Sequence, residues 1–218
     1  MQIVSVNVGQ PRTVVWHGRS VSTGIYKTPL HGRVAVRRLN LDGDGQADLS
    51  VHGGEQKAVY CYPTEYYDAW TSELGGVRPE AAMFGENLTT SGVDDQSVHV
   101  GDRFAIGSTH FVVTQPRLPC YKLGIRFQDD NIIKLFLASG RTGFYLAVLQ
   151  EGDVGAGDPI VLLSSDPRRI RVAEITRLFV AKRYHADDVA TLQSVLGLAA
   201  LPESWKEHFR HRLARHEG

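Results

Sequence analysis

The sequence predicts a mostly β domain followed by a small helical unit, on three observations. Short apolar runs with alternating or β-branched residues recur through residues 1–165. The 22 glycines are spread between those runs in small groups, as many tight turns require. From Asp166-Pro167 onward the texture changes to helical periodicity with capping residues. Many short strands joined by glycine turns belong to barrels or sandwiches.

Composition narrows the functional classes. A chain of 218 residues, 42% hydrophobic and 22% charged, suits one large domain or a domain with an appendage. The formal net charge is zero, which gives no global electrostatic case for a stable nucleic-acid complex or a membrane surface. No apolar run approaches the ~20 residues a membrane span needs. The N-terminal residues have neither a basic region nor a signal core, so the protein is read as cytoplasmic. There its two cysteines, Cys61 and Cys120, stay reduced.

Residues 3–8 read as the first strand, ended by Gly9-Gln10-Pro11. Residues 14–16 and 20–22 flank His17-Gly18-Arg19, a hairpin with glycine in its turn. Residues 33–39 form a strand with Val34 and Val36 on one face, and the nearby cations Lys27, Arg33 and Arg37 either line an anion site or face water. Asp42-Gly43-Asp44-Gly45-Gln46-Ala47-Asp48 has the look of a calcium loop. Its sixth position is Ala47 rather than glycine and its twelfth is Gly53 rather than glutamate, so calcium is rejected and the glycines serve turns. In His52-Gly53-Gly54-Glu55-Gln56-Lys57, the two glycines let backbone amides approach a ligand, and Lys57 follows close behind. The spacing of a nucleotide phosphate loop is absent, yet amides in a nest with a lysine suit a phosphate. No paired His or Cys spacing marks a zinc site.

Residues 58–62 read as a strand, with Cys61 turned away from Tyr60 and Tyr62 into packing. Pro63 is expected to open a helix with Tyr66, Tyr67, Trp70 and Leu74 on one apolar stripe, closed by Gly75. Phe84-Gly85-Glu86-Asn87-Leu88 is short and polar at its centre. Gly101-Asp102 and Gly157-Asp158 each turn into an apolar strand, a recurrence too short for a repeat. Residues 129–139 form a helix ended by Gly140, and Arg141 before the next strand is a further candidate anion contact. Three helices follow, over 174–184, 187–196 and 203–216, with Asp187 as a cap, Gly197 as a stop and Pro202 opening the last. His208, His211 and His216 on that helix, with its arginines, read as a solvated basic face because no ligand spacing accompanies them. The boundary falls near residue 166, giving units 1–165 and 166–218. The second has little core of its own and is expected to dock on the first or on a partner subunit.

The chemistry gathers in Thr114-Gln115-Pro116-Arg117-Leu118-Pro119-Cys120-Tyr121-Lys122-Leu123. Two prolines stop both helix and central strand, so an irregular loop with Cys120 at its tip is expected. Arg117 and Lys122 flank the thiol, and cations favour the thiolate, which is the nucleophile and the metal ligand. A lone cysteine is otherwise a small buried hydrophobe, the reading given to Cys61.

The run QPRLPCYKL resembles the cysteine loop of the MOSC domain, the C-terminal domain of molybdenum-cofactor sulfurases that also occurs alone in bacteria. LNLDGDGQADLSVHGG at 39–54 and FGENL at 84–88 match the same family in order. Together the three stretches resemble the stand-alone branch of 6-hydroxylaminopurine resistance proteins, over the whole chain. The resemblance implies a β-barrel with a few covering helices, plus the small helical extension of that branch. It implies molybdenum cofactor (molybdopterin) as the cofactor, with Cys120 as a sulfur ligand to molybdenum and the catalytic residue. It carries over a pocket of Lys27 and Arg33 near the first loop, His52, Gly53, Gly54 and Lys57 in the second stretch, Asn87 in the third, and Arg117 and Lys122 beside the thiol. The implied reaction reduces N-hydroxylated bases to amines. Electrons then come from a separate flavin or haem reductase, because no G-x-G-x-x-G fingerprint is present here. A homodimer is left open. The same residues also suit a non-catalytic carrier of cofactor or sulfur on Cys120. A thiol hydrolase pairing Cys120 with His52 or His110 is a weaker third reading, since no nucleophile motif surrounds the cysteine.

Overall fold

The structure, a computed structural model, describes residues 1–48 and 53–215; the candidate His52, and His216, lie outside them. The first strand, β1 (Gln2–Val8), turns Ile3, Val6 and Val8 inward. β2 (Arg12–Trp16) and β3 (Arg19–Thr23) pair in register from Trp16–Arg19 outward. His17 and Gly18 both have positive φ, 46° and 74°, the hand that a tight hairpin between twisted strands requires. β4 (Thr28–Leu30) returns antiparallel on β1, and β5 (Arg33–Val36) pairs instead with β11 (Gly152–Gly155) as a separate ribbon.

A 3-10 turn at Glu55–Lys57 leads to β6 (Val59–Pro63), and helix α1 (Glu65–Glu73) follows. Pro63 therefore ends a strand rather than opening the helix; its carbonyl and side chain suit a strand's last position, where no donated N–H is missed. β7 (Leu88–Ser91) pairs parallel to β6, and α1 lies in the connection between them. β8 (Arg103–Ile106) and β9 (Thr109–Pro116) form a hairpin. β9 runs through Pro116, which pairs with Phe144, and helix α2 (Tyr121–Phe127) begins directly after Cys120. The irregular stretch is thus only residues 117–120, and Cys120 holds the N-cap position of α2 instead of the tip of a long loop. Helix α3 (Asn131–Ser139), capped by Gly140 at φ 66°, precedes β10 (Phe144–Gln150). After β12 (Ile160–Ser164) come α4 (Val172–Val180), α5 (Ala186–Leu196) and α6 (Glu203–Ala214).

The main sheet has eight strands in the order β12-β8-β9-β10-β6-β7-β1-β4. The expected barrel is not what this ladder forms. No pairing of β12 with β4 closes it among the described residues. β12 instead approaches the start of β1 through a few bonds, Ile160 N to Met1 O at 3.1 Å and Ile3 N to Asp158 O at 2.9 Å. The bridge between them falls at Gln2 and Pro159, and a proline has no N–H with which to extend a ladder. No helix among the described residues is long and apolar enough to cross a membrane.

Side-chain alternation gives the sheet two cores. On β6, Val59 and Cys61 face one side, Tyr60 and Tyr62 the other. The first core also takes Phe111, Val113, Phe144 and Leu146, and continues without a break into Ile175, Leu178, Leu192, Trp205 and Phe209 of the C-terminal helices. The second is aromatic. Tyr62 stacks on Phe84 at 4.3 Å between centroids, and Trp70 on Phe136 at 6.1 Å, between β6, α1 and α3.

Because one apolar core spans sheet and helices, the whole chain should unfold in a single transition. Phe209→Ala, at a fully buried ring, is expected to cost about 3–5 kcal/mol and lower that transition as a unit. Calorimetry showing an independent transition for the helices would refute a continuous core.

Candidate functional site

A cleft of about 580 Å³ opens above the junction of β6 and β10, on the face that carries the aromatic core. It is built from loops far apart in sequence: residues 23–27 after β3, the turn at 44–47, Lys57 of the 3-10 turn, residues 84–87 before β7, and residues 117–122. Six of the ten candidate residues meet there: Lys27, Lys57, Asn87, Arg117, Cys120 and Lys122. Gly53 and Gly54 line an adjoining depression with Lys57 and Gln115. Arg33 lies elsewhere. Its guanidinium binds Asp153 (Nε–Oδ1, 2.8 Å) and Asp158 (Nη1–Oδ1, 3.0 Å), tying together the turns beside the β5–β11 ribbon. That engagement accounts for its charge without a ligand. His110, the alternative partner for a cysteine nucleophile, stands at the far end of β9 opposite Ala105. Among the described residues no group of three His, Cys, Asp or Glu side chains is arranged to hold a metal ion by itself.

Asp44 organises one wall. It sits between Gly43 and Gly45, buried, and its carboxylate pairs with the buried Lys27 ammonium. Oδ1 also accepts from Gly9 N at 3.0 Å, and Oδ2 accepts from Asn87 Nδ2 at 2.9 Å. Burial pulls the Lys27 pKa down, and the Asp44 carboxylate opposes that shift. Asn87 reaches the cleft but its amide is already committed: Oδ1 accepts from Tyr60 N at 3.1 Å, and Nδ2 serves Asp44. A Cβ on Gly24 would sit 2.4 Å from Gly45 O, so the two loops touch backbone to backbone and only glycine fits.

The other wall is cationic. Arg117 is buried, with its guanidinium 5.1 Å from the centroids of both Tyr60 and Phe136, and its Nη1 has no hydrogen-bond partner. Its backbone N–H donates to Gly143 O at 3.2 Å. The 142–143 turn is in turn fixed by buried Asp95, which accepts from Thr142 Oγ1 at 2.9 Å and Gly143 N at 3.2 Å. Burial pushes the Asp95 carboxyl up to about 6. Lys57 is placed by its turn: Gln56 O accepts from Thr114 Oγ1 at 2.7 Å and from Gln115 Nε2 at 3.1 Å, and burial lowers the Lys57 pKa. Cys120 is half-buried at the cleft edge, with Lys122 buried in the first turn of α2. Cys61 is fully buried on the opposite face of the sheet, where desolvation raises its thiol pKa; its role is packing.

The cleft's lining thus sets four cations against one carboxylate, around a thiol. Such a site suits an anionic ligand with a soft centre. Sequence reasoning missed Asp44, which it read as turn chemistry, and the lining rings of Tyr60, Phe84 and Tyr145. The acid between two glycines was a signal for Asp44; nothing local marked the rings as other than core.

Residues 48–161 match the MOSC domain, and residues 172–216 match the YiiM-like, 3-alpha helix domain. The chain is 39% identical to the uncharacterized protein YflK of Bacillus subtilis (strain 168) over 98% of its own length and 95% of that protein's. It is 32% identical to a protein named "Reductase" of Gibberella moniliformis, over 76% of this chain and 30% of that longer one. The crystal structure of YiiM from Geobacillus stearothermophilus superposes with a TM-score of 0.81 at 35% identity, covering 97% of this chain and 98% of that one.

Two outcomes test the electrostatics of the site. Asp44→Ala leaves the Lys27 ammonium buried without its partner and should cost about 3 kcal/mol in urea unfolding; an unchanged midpoint would show that the pair stabilises nothing. The folded Asp95 carboxyl, at about 6 against an ordinary 3.8, holds its proton where the unfolded chain has lost it. Its contribution to stability is therefore full below about pH 4 and lost as pH rises through about 6. Asp95→Asn should remove about 2–3 kcal/mol of that fall, read as the wild-type-minus-variant stability at pH 4 and pH 7.

Proposed function

The chain belongs to the MOSC domain family, in the form that carries a YiiM-like three-helix domain, and we propose that it is a molybdenum-cofactor-dependent oxidoreductase that reduces N-hydroxylated bases, such as 6-hydroxylaminopurine, to amines. The observation that carries this reading is the convergence of Cys120 with Lys27, Lys57, Arg117 and Lys122 on one cleft. The resemblance of the cysteine loop supplies the cofactor; the cleft supplies a chemical fit. A cofactor phosphate or dithiolene is anionic, and Arg117 Nη1 is a buried donor with nothing to bond. An unsatisfied buried donor costs about 1–3 kcal/mol, which an anionic oxygen in the cleft would recover.

In this proposal the Cys120 thiolate is the protein's ligand to molybdenum, and Lys57, Arg117 and Lys122 hold the phosphate end. Lys27, already paired with Asp44, offers its remaining N–H groups. Gly53 and Gly54 lie beside Lys57 and extend the amide surface. When bound, the cofactor supplies two-electron reduction of the N–OH group. The N–O bond breaks; one proton goes to nitrogen and one to the departing hydroxyl, which leaves as water. The electrons come from a separate flavin or haem reductase, and the reaction belongs in the cytoplasm, where both thiols stay reduced. The relative named as a reductase supports the reaction class. The protein's part is to bind, orient and neutralise.

Expression in a host that makes molybdenum cofactor, followed by metal analysis and pterin fluorescence, tests the reading. Wild type should hold near-stoichiometric molybdenum and reduce 6-hydroxylaminopurine with an artificial electron donor. Cys120→Ser should keep the fold and lose the reduction; full activity in that variant would sink the ligand assignment. Cys61→Ser should retain most of the activity, because its sulfur faces the other core. Bound molybdenum without any turnover would turn the assignment to a cofactor carrier.

A further inference from the structure

Cys120 lines two spaces. Beyond the cation-lined cleft lies a second groove, of about 910 Å³, between the cysteine loop and the C-terminal helices. Cys120, Lys57 and Tyr145 belong to both. The rest of the groove has a different chemistry. Leu118 and Pro119 come from the cysteine loop, and Phe179, Trp205 and His208 from α4 and α6. The Phe179 and His208 rings stack at 4.7 Å and 28°, and Trp205 lies 5.1 Å from Phe179. His208 Nε2 is held out of solvent with no hydrogen-bond partner.

The polar groups at the base of this groove are spent on structure. Gln115 Oε1 accepts from Trp205 Nε1 at 2.6 Å, and its Nε2 donates to Gln56 O at 3.1 Å. That pair pins α6 to β9 and holds the aromatic wall in place. Charge then divides the two spaces. The cleft carries four cations, whereas Lys57 is the groove's one lysine or arginine among the lining residues. An anionic group belongs in the first, and a neutral, flat, polarisable ring belongs in the second, against stacked aromatic faces.

We infer that the groove between the cysteine loop and the helical unit is the substrate site, that it receives a planar N-hydroxylated heteroaromatic ring against Phe179, Trp205 and His208, and that the helical unit thereby selects substrate. This inference rests on the proposed reduction at Cys120. It assigns the three-helix unit a role in specificity that a structural appendage would not have.

Ser204 is exposed on the groove rim, so Ser204→Trp narrows the groove without disturbing a core. The expected result is a KM for 6-hydroxylaminopurine raised by roughly tenfold or more, with kcat little changed. Hydroxylamine, which has no ring, should keep its wild-type KM in the same variant. A KM for the purine that stays put, or one that rises equally for both compounds, would overturn the inference. A second readout needs neither metal nor turnover. In cofactor-free protein, titration with 6-hydroxylaminopurine should quench tryptophan fluorescence. The quench should vanish in Trp205→Phe and weaken by about fivefold in affinity in His208→Ala. No quench in folded wild-type protein would also overturn the groove assignment, whereas a quench in a protein that never binds molybdenum would fail only the cofactor reading.

Discussion

A buried carboxylate holds the site together. Asp44 joins Lys27, Gly9 and Asn87, residues that lie on three separate segments, and each bond uses a different geometry of the same two oxygens. Desolvating an ammonium and a carboxylate is costly unless the pair is close and further hydrogen bonds serve the remaining lone pairs. Here they do, and the result is less a source of stability than a specification of position. With Asp44 in place, the first loop, the Asp-Gly turn and the strand opening at Asn87 have one arrangement. The cleft wall that they form is the wall the cationic side faces.

That cationic side depends on a different device. Arg117 is held by ring faces and by its backbone, and its guanidinium is left with an unspent donor. Asp95, remote from that turn along the chain but hydrogen-bonded to it, fixes the turn on which the Arg117 backbone rests. The aromatic core with Trp70, Phe84 and Phe136 packs beneath this face of the sheet. A site aimed at charge must be rigid before the charge arrives, because reorganising dipoles at the moment of binding would cost what the contacts gain.

The helical unit adds a third layer. It shares the main apolar core with the sheet, and Trp205 anchors it to β9 through Gln115. A unit of this size has too little interior to stand alone, so docking is its route to stability. The same docking brings Phe179 and His208 beside the cysteine loop, into the groove that Cys120 also lines.

Much of this was legible in the chain. Alternation marked the strands, Gly140 and Gly197 marked helix ends, and the texture change after Asp166 marked the helices. Three ordered motifs pointed to the family, and the cations around Cys120 were visible as residues near a thiol. Six of the pocket candidates do share a cleft. Arg33 was misjudged because a surface arginine reads the same whether it meets a ligand or, as here, Asp153 and Asp158 on a returning ribbon. The open sheet also escaped the sequence, since closure is decided by strand order and by a proline at the seam. What the sequence by itself determined was local: which segments extend, which coil, where they stop, and which side chains have the chemistry to act, because these follow from periodicity, backbone restriction and functional groups. Only the tertiary structure decided that Lys27 meets Asp44, that Arg117 keeps a donor unpaired, and that Cys120 stands between a charged cleft and an aromatic groove. Those are facts of distance between segments remote along the chain, and no local preference encodes a distance.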